Sequence, residues 1–487
     1  MPRRSAAALF ALPLAVAFVI AGIASSARGE AATLVIRNAR LAATATEAAR
    51  PAVDIAIDGD RIVGVEDHRP DAPPPPGATV LDATGMTALP GFIDAHVHFV
   101  AAPGSAARGD SDETIRELNR QHLRALLAAG VTTVLDAGAY PEVVRDIQGW
   151  LAAGHAGPRY LTTGPYVRNP GGYGHPRFGE DATPAAVEAK LDLIQSLGGA
   201  GVKIGLEEGF GPIGGPSPFP PEILEAIREG ARKRGLPIYV HARTEATQGQ
   251  AIDLGARAIM HAAFDAVSPA ELSDEFVARL GESGVYQLTT LSAIDTLPGL
   301  YDTSRLADPR TALLVPPLEL ETARAPDAEQ RFHLAMIGFA APWTFEWTRP
   351  WIVRFFPWRE TFAEALAVGQ RNLMRAHRAG APIVAATDVP SPWPDAIYHF
   401  YGVQMAREMA LLVDAGFTPT EAITAATSTP ARMLGLDGDI GAVAAGKRAD
   451  IVLVEGEPDR DVAALERVRW TVKDGVARTP EEWMSAP

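Results

Sequence analysis

Gly91-Phe92-Ile93-Asp94-Ala95-His96-Val97-His98-Phe99 reads as a short buried strand with its chemistry on one side. Strand side chains alternate, so Asp94, His96 and His98 share one face and Ile93, Ala95 and Val97 the other. Seven further strand-length apolar runs follow: Val131–Asp136, Tyr160–Thr163, Val202–Leu206, Ile238–Ala242, Ala258–His261, Val285–Leu291 and Ile383–Asp388. Helical patterns lie between most of them, at Asp112–Ala129, Pro184–Leu197, Pro221–Arg234, Pro269–Glu282 and Glu360–Ala379. Three of these open on proline, which suits a first helical position. Eight strands alternating with helices predict an α/β chain folded as a (β/α)8 barrel, with a doubly wound sheet as the alternative.

The flanks of this middle have a different period. Thr33–Val65 alternates like strands around the Asp58-Gly59 turn. Ile451–Val454 and Trp470-Thr471-Val472 do the same near Asp474-Gly475. Both ends therefore predict one small β-sandwich, residues 28–88 and 436–487, around a barrel at 89–435. More than 90 residues separate the last two barrel strands, and a long insertion is expected at about 296–365. Arg3-Arg4, the apolar run from Ala6 to Ala24 and Ser25-Ser26-Ala27 read as a signal peptide over 1–27. The chain is thus expected to be exported, periplasmic or secreted. A retained membrane anchor is the other reading of the same run.

Composition removes several classes of function. A net charge of −15 argues against a partner bound through bulk positive charge, so no nucleic acid is expected. The absence of cysteine excludes disulfides, thiolate metal sites and a cysteine nucleophile. Five lysines stand against 39 arginines. One lysine, Lys203, lies inside the apolar run Val202-Lys203-Ile204. A buried ammonium is costly unless paired or neutralised. A primary amine can also add to carbon dioxide and become an anionic carbamate, which a guanidinium cannot do. His241, His261 and Asp388 each end a candidate strand, where barrels gather catalytic groups. A lone His-x-His or a single strand-end histidine is commonly a hydrogen-bonded core residue. Six polar side chains on five strand ends are harder to read that way. Asp94 is placed to orient an imidazole.

These residues resemble the amidohydrolase superfamily. The resemblance is carried by Gly91 to His98, Gly130-Val131-Thr132-Thr133, Lys203, His241, His261 and Thr387-Asp388. It extends to Pro430-Ala431-Arg432-Met433-Leu434-Gly435 and Gly446-Lys447-Arg448-Ala449-Asp450. The loop Asn169-Pro170-Gly171-Gly172-Tyr173-Gly174-His175 is similar to the imidazolonepropionase-like and prolidase-like branch. The resemblance implies two divalent metal ions, usually zinc, held by His96, His98, Lys203, His241, His261 and Asp388, with Lys203 carboxylated. It implies hydrolysis of a small amide or peptide substrate, such as a dipeptide or N-acyl amino acid. Asp388 would then be the general base and acid. A lactonase or phosphotriester hydrolase with the same centre is one alternative, and a metal-binding envelope protein without turnover is another.

Substrate contacts are less determined. His175 is a candidate for oxyanion stabilisation or substrate binding, or a plain loop hydrogen-bonder. Arg243, two residues after His241, either clamps a substrate carboxylate or pairs with an acid such as Glu245 or Glu207. Tyr173 is a weaker candidate for the clamp. Trp343, Phe345, Trp347, Trp351, Phe355, Phe356 and Trp358 crowd the insertion, and Trp393 follows. They suit a lid over the site, an oligomer or membrane contact, or a satellite core.

Overall fold

The computed structural model describes residues 32–487, apart from 45–47, 208–214, 265–268, 342 and 391–395. The expected signal at 1–27 and Trp393 therefore lie outside the described residues. The middle of the chain holds eight strands, here numbered in chain order. They are β1 (Phe92–Val97), β2 (Val131–Asp136), β3 (Arg159–Thr162), β4 (Val202–Gly205), β5 (Ile238–His241), β6 (Ala258–Met260), β7 (Tyr286–Leu288) and β8 (Ile383–Val384). Each pairs in parallel with its sequence neighbour, as one group of three and one of five.

Backbone hydrogen bonds join the two groups. At one seam Ala200 N donates to Thr162 O at 2.7 Å and Val167 N to Lys203 O at 3.1 Å. At the other, Asp388 N donates to His96 O and His98 N to Val389 O, both at 2.8 Å. Val97 and Val389 form a parallel bridge there. The chain is a (β/α)8 barrel carrying a β-sandwich domain. The doubly wound alternative is set aside, because an open sheet has no second seam.

The sandwich domain is an eight-stranded sheet from both ends of the chain. Met86–Pro90 pairs antiparallel with Ile451–Glu455, which ties N- and C-terminal segments together. Ile36, Val53, Ile55, Ile451 and Leu453 fill its core. Asp450 fastens this domain to the barrel. Its backbone oxygen accepts from Gly91 N at 2.8 Å, immediately before β1. Its carboxylate takes Arg159 Nη1 at 2.9 Å, at the start of β3.

The helices depart from expectation in identifiable ways. Pro184 and Pro221 do open helices, Pro184–Ser196 and Pro221–Arg234. Pro269 does not: Ser273 accepts a bond from Phe276 N, and that cap starts the helix at Asp274. Helices Pro141–Ala152 and Glu245–Leu254 were not expected. The strand predicted to run through Asp388 stops at Val384, and the ligand candidate sits on the turn beyond it. The segment between β7 and β8 is helical, with its longest helices at Ala328–Ala340 and Trp358–Arg378.

Candidate metal centre

Five strand ends converge on one buried cluster. His96 and His98 follow from the alternation of β1, although His98 lies one residue beyond it. His241 ends β5, His261 follows β6, and Lys203 lies inside β4. Asp388 swings in from the turn after β8. His261 and Asp388 both adopt left-handed backbone, φ 84° and 62°. Non-glycine residues rarely do so without surrounding structure to hold them there.

The first three ligand candidates form a near-equilateral triangle. His96 Nε2 lies 3.1 Å from His98 Nε2 and 3.2 Å from Asp388 Oδ1. His98 Nε2 lies 3.1 Å from the same oxygen. Two nitrogen lone pairs and an anionic oxygen at this spacing suit one divalent cation. Ligands about 2.0–2.1 Å from a tetrahedral ion stand about 3.3–3.4 Å apart. Asp388 Oδ1 and His241 Nδ1 are also buried with no hydrogen-bond partner. Buried polar atoms without partners are costly, and here both belong to the cluster.

His241 and His261 complete the arrangement. Their ring centroids are 4.5 Å apart, and His261 lies 5.0 Å from His96. Burial lowers the pKa of His96, His241 and His261, which keeps the imidazoles neutral as metal ligands must be. Lys203 is almost fully buried and its Nζ touches Met260 Sδ. Burial draws its amine down from 10.5 to about 7, against a smaller upward pull from Asp388.

The residues around the cluster show how it is held. Glu207 Oε2 lies 2.7 Å from His241 Nε2, which leaves Nδ1 as that ring's other donor atom. Thr290 Oγ1 lies 2.9 Å from His261 Nδ1. The loop carrying Thr290 is fixed by the buried carboxylate of Glu408, which accepts from Leu291 N at 2.8 Å and Ser292 N at 2.7 Å. Asp94 corrects an expectation. It was placed to orient an imidazole, but it accepts from Thr387 N at 3.0 Å and Thr387 Oγ1 at 2.6 Å. It therefore fixes the turn that presents Asp388. Burial raises its pKa to about 7.

The substrate-side candidates separate. Tyr173 stacks on the His241 ring at 4.1 Å, and Tyr166 covers Lys203, its ring 5.9 Å from Nζ. Both rings need glycines beneath them: a Cβ on Gly205 would lie 2.1 Å from Tyr173, and one on Gly138 1.9 Å from Tyr166. Of the two roles open to Arg243, the structure takes the ion pair. Its Nε and Nη2 donate to Glu207 at 2.8 and 2.7 Å, so the fork expected to clamp a substrate carboxylate holds a protein carboxylate. Glu245, the other expected acid, instead accepts from Ser273 N and Oγ, both at 2.7 Å. His175 is exposed. Its Nδ1 accepts Arg177 N–H at 3.2 Å and lies 3.2 Å from Tyr140 Oη. These are loop contacts, and they give no support to the oxyanion role.

The Arg243 pairing makes a prediction. Arg243→Met leaves the Glu207 carboxylate buried without its guanidinium. Breaking one partner of such a pair costs about 3–5 kcal/mol. Denaturant unfolding should show that loss. kcat/KM should fall equally on carboxylate-bearing substrates and their amidated counterparts. A selective loss on the carboxylate form would return Arg243 to the clamp role.

Comparison with known proteins agrees with this construction. The amidohydrolase family profile matches residues 87–477. The chain belongs to the amidohydrolase family. An imidazolonepropionase of Rubrobacter xylanophilus is 25% identical over 460 residues, covering 84% of this chain and 86% of that one. A Xaa-Pro dipeptidase solved with methionine in its active site superposes with a TM-score of 0.68 and 22% identity. It covers 92% of this chain and 99% of its own. A putative prolidase from Bifidobacterium longum gives 0.65 and 23%, covering 91% and 94%. These two structures share the fold. Family members generally bind divalent metals, so this is a metal-dependent hydrolase acting on carbon–nitrogen bonds.

Sequence reading missed several residues of the site. Asp136 ends β2, where the strand-end rule applies, yet nothing else in Val131–Asp136 marks it. Burial raises its pKa to about 6. Tyr166, Thr290 and Glu408 come from loops and a distant helix and leave no local signal.

Proposed function

We propose that this chain is an exported amidohydrolase that cleaves the amide bond of a dipeptide or an N-acyl amino acid, using two divalent ions, zinc by preference, and a carboxylated Lys203. The observation that carries the reading is Lys203, buried inside β4 beside buried imidazoles and Asp388, its amine drawn down to about 7 by burial. The charge of Asp388 offsets the burial of this amine only in part, and a metal centre would account for the same burial. Bifunctional use of Asp388 and a carbamate on Lys203 fit the donor set of His96, His98, His241 and His261.

When bound, the ions supply Lewis-acid polarisation and a water acidic enough to attack at neutral pH. The protein's own steps are then few. The neutral amine of Lys203 adds through Nζ to carbon dioxide and releases one proton, which leaves an anionic carbamate. Asp388 takes a proton from the attacking water as the carbon–oxygen bond forms. It returns that proton to the amine nitrogen as the carbon–nitrogen bond breaks. Tyr173 and Tyr166 wall the site, and their burial raises both phenols far above neutral pH, so they act as hydroxyl donors.

Two measurements test this. Elemental analysis after growth with zinc and bicarbonate should find two divalent ions per folded chain. A panel of dipeptides and N-acyl amino acids, run beside matched esters, lactones and phosphotriesters, should show turnover on the amides. Faster turnover of the oxygen esters would assign the chain to the lactonase or phosphotriester class. One ion or none would remove the binuclear reading. Export from 1–27 is tested by the N-terminal residue of the natural protein: a start near residue 28 supports it, and a retained Met1 refutes cleavage.

A further inference from the structure

Among the described residues, the exposed large aromatic side chains are confined to one short stretch. Trp343, Phe345, Trp347, Trp351 and Phe355 are 63–74% exposed. The other exposed large hydrophobics, Val63, Val80, Leu318 and Val476, are aliphatic and scattered. Exposing five rings within thirteen residues is costly in water unless something covers them.

The stretch is built to present those rings. Helix Arg349–Phe355 follows a short 3-10 turn, Glu346–Thr348. Trp351 and Phe355, four residues apart on one helix face, stack at 6.2 Å, and Phe345 stacks with Trp347 at 6.3 Å. The other side is fastened down. Arg349 Nε donates to Thr344 Oγ1 at 3.3 Å. Trp358 donates from Nε1 to Val353 O at 2.9 Å and stacks on the buried His333 at 4.3 Å. The satellite-core reading of this segment is overturned for the five exposed rings and kept for Trp358.

Charge decides what covers them. The chain carries −15, yet around the rings Arg354 and Arg359 match Glu346 and Glu360 in number, so the platform lacks the chain's acidic excess. The Arg354 guanidinium lies 5.8 Å from the Phe355 ring centroid. Tryptophan and phenylalanine with arginines at their edge match the depth profile of a bilayer's interfacial zone. A second copy of this chain fits worse. A two-fold contact sets each patch against itself and offers the exposed arginines no opposite charge beyond Glu346 and Glu360. We propose that the Trp343–Phe355 platform docks the enzyme on an anionic lipid bilayer surface, its rings at headgroup depth and Arg354 and Arg359 over the lipid phosphates. This contact is peripheral, since none of the described helices is long and apolar enough to cross a membrane.

The test uses the full chain and vesicles of phosphatidylglycerol and phosphatidylcholine with brominated acyl chains, which quench tryptophan on contact. Residues 1–31 contain no tryptophan, so the apolar run at Ala6–Ala24 is silent in this measurement. Tryptophan emission should be quenched and blue-shifted on anionic vesicles, and much less on phosphatidylcholine alone. Each basic residue near an anionic surface contributes about fivefold, so the double variant R354E/R359E, with every tryptophan retained, should dock about 30-fold or more weakly. Circular dichroism checks that the variant is folded. Two results overturn the proposal. One is quenching that is absent, or unchanged by charge reversal. The other is a parent dimer in light scattering that Trp347→Ser dissociates, which would give the patch to a second copy.

Discussion

Asp388→Asn lowers kcat by about 10²–10⁴ and leaves the barrel folded. Loss of a positioned proton shuttle has that magnitude. The fold should survive because the side chain does not hold the turn it sits on. Asp388 N donates to His96 O at 2.8 Å, and the preceding residue is fixed by Asp94. Asparagine keeps the shape and one oxygen, so the ion held with His96 and His98 should weaken less than turnover does. Stopped assays on the best amide substrate, with metal content measured on the same samples, separate the two effects. If kcat stays within a few-fold of the parent at full metal content, the proton moves through another group. If metal and activity fall in proportion, Asp388 is a ligand only.

How much of this was readable beforehand depends on distance along the chain. The barrel was legible because each strand is a local apolar run; some helices were marked by proline or a periodic face, while Pro141–Ala152 and Glu245–Leu254 were not expected. β1 also gave two ligand candidates directly, since alternation places His96 and His98 on one face wherever that strand packs. His241, His261 and Asp388 needed the further rule that barrel strands present chemistry at their C-terminal ends. The left-handed backbone at His261 and Asp388 has no sequence mark, because it is imposed by contacts with Thr290 and by the Thr387 clamp.

What the sequence left undecided is the set of long-range pairings, Glu207 having been one of two acids named for Arg243. Arg243 and Glu207 are 36 residues apart, and Glu408 reaches Leu291 across 117. No periodicity encodes such pairs. Arg243 shows the consequence. Its strand position puts the guanidinium beside His241, as expected, but position alone does not say which carboxylate it meets. The reading of Asp94 failed for the same reason, because its partner Thr387 is 293 residues away.

Lys203→Arg should abolish both the second metal ion and most of the activity, although it keeps a basic residue in place. The argument rests on protonation. Burial draws the Lys203 amine down to about 7, so above that pH the group is mostly neutral and nucleophilic. Below it, the neutral fraction falls tenfold for each pH unit. Arginine remains cationic throughout and cannot form the carbamate. It would instead place a fixed positive charge among His96, His241 and His261. Losing several kcal/mol of metal-derived stabilisation corresponds to about 10³-fold in rate. Carbon-13 NMR with labelled bicarbonate should show a carbamate signal in the parent and none in Lys203→Arg. Uptake of label by the metal-free protein should rise as pH increases through about 7 and level off above it. Lys203→Ala distinguishes a lost bridge from a damaged core. The truncation leaves a cavity beneath Tyr166, and formate or acetate can fill it with a carboxylate where the carbamate stood. Partial return of metal and turnover with these acids supports the bridging role. Parent-like metal content and rate in Lys203→Arg would refute it, and the buried lysine would then be a structural residue whose neutral amine has no part in the chemistry.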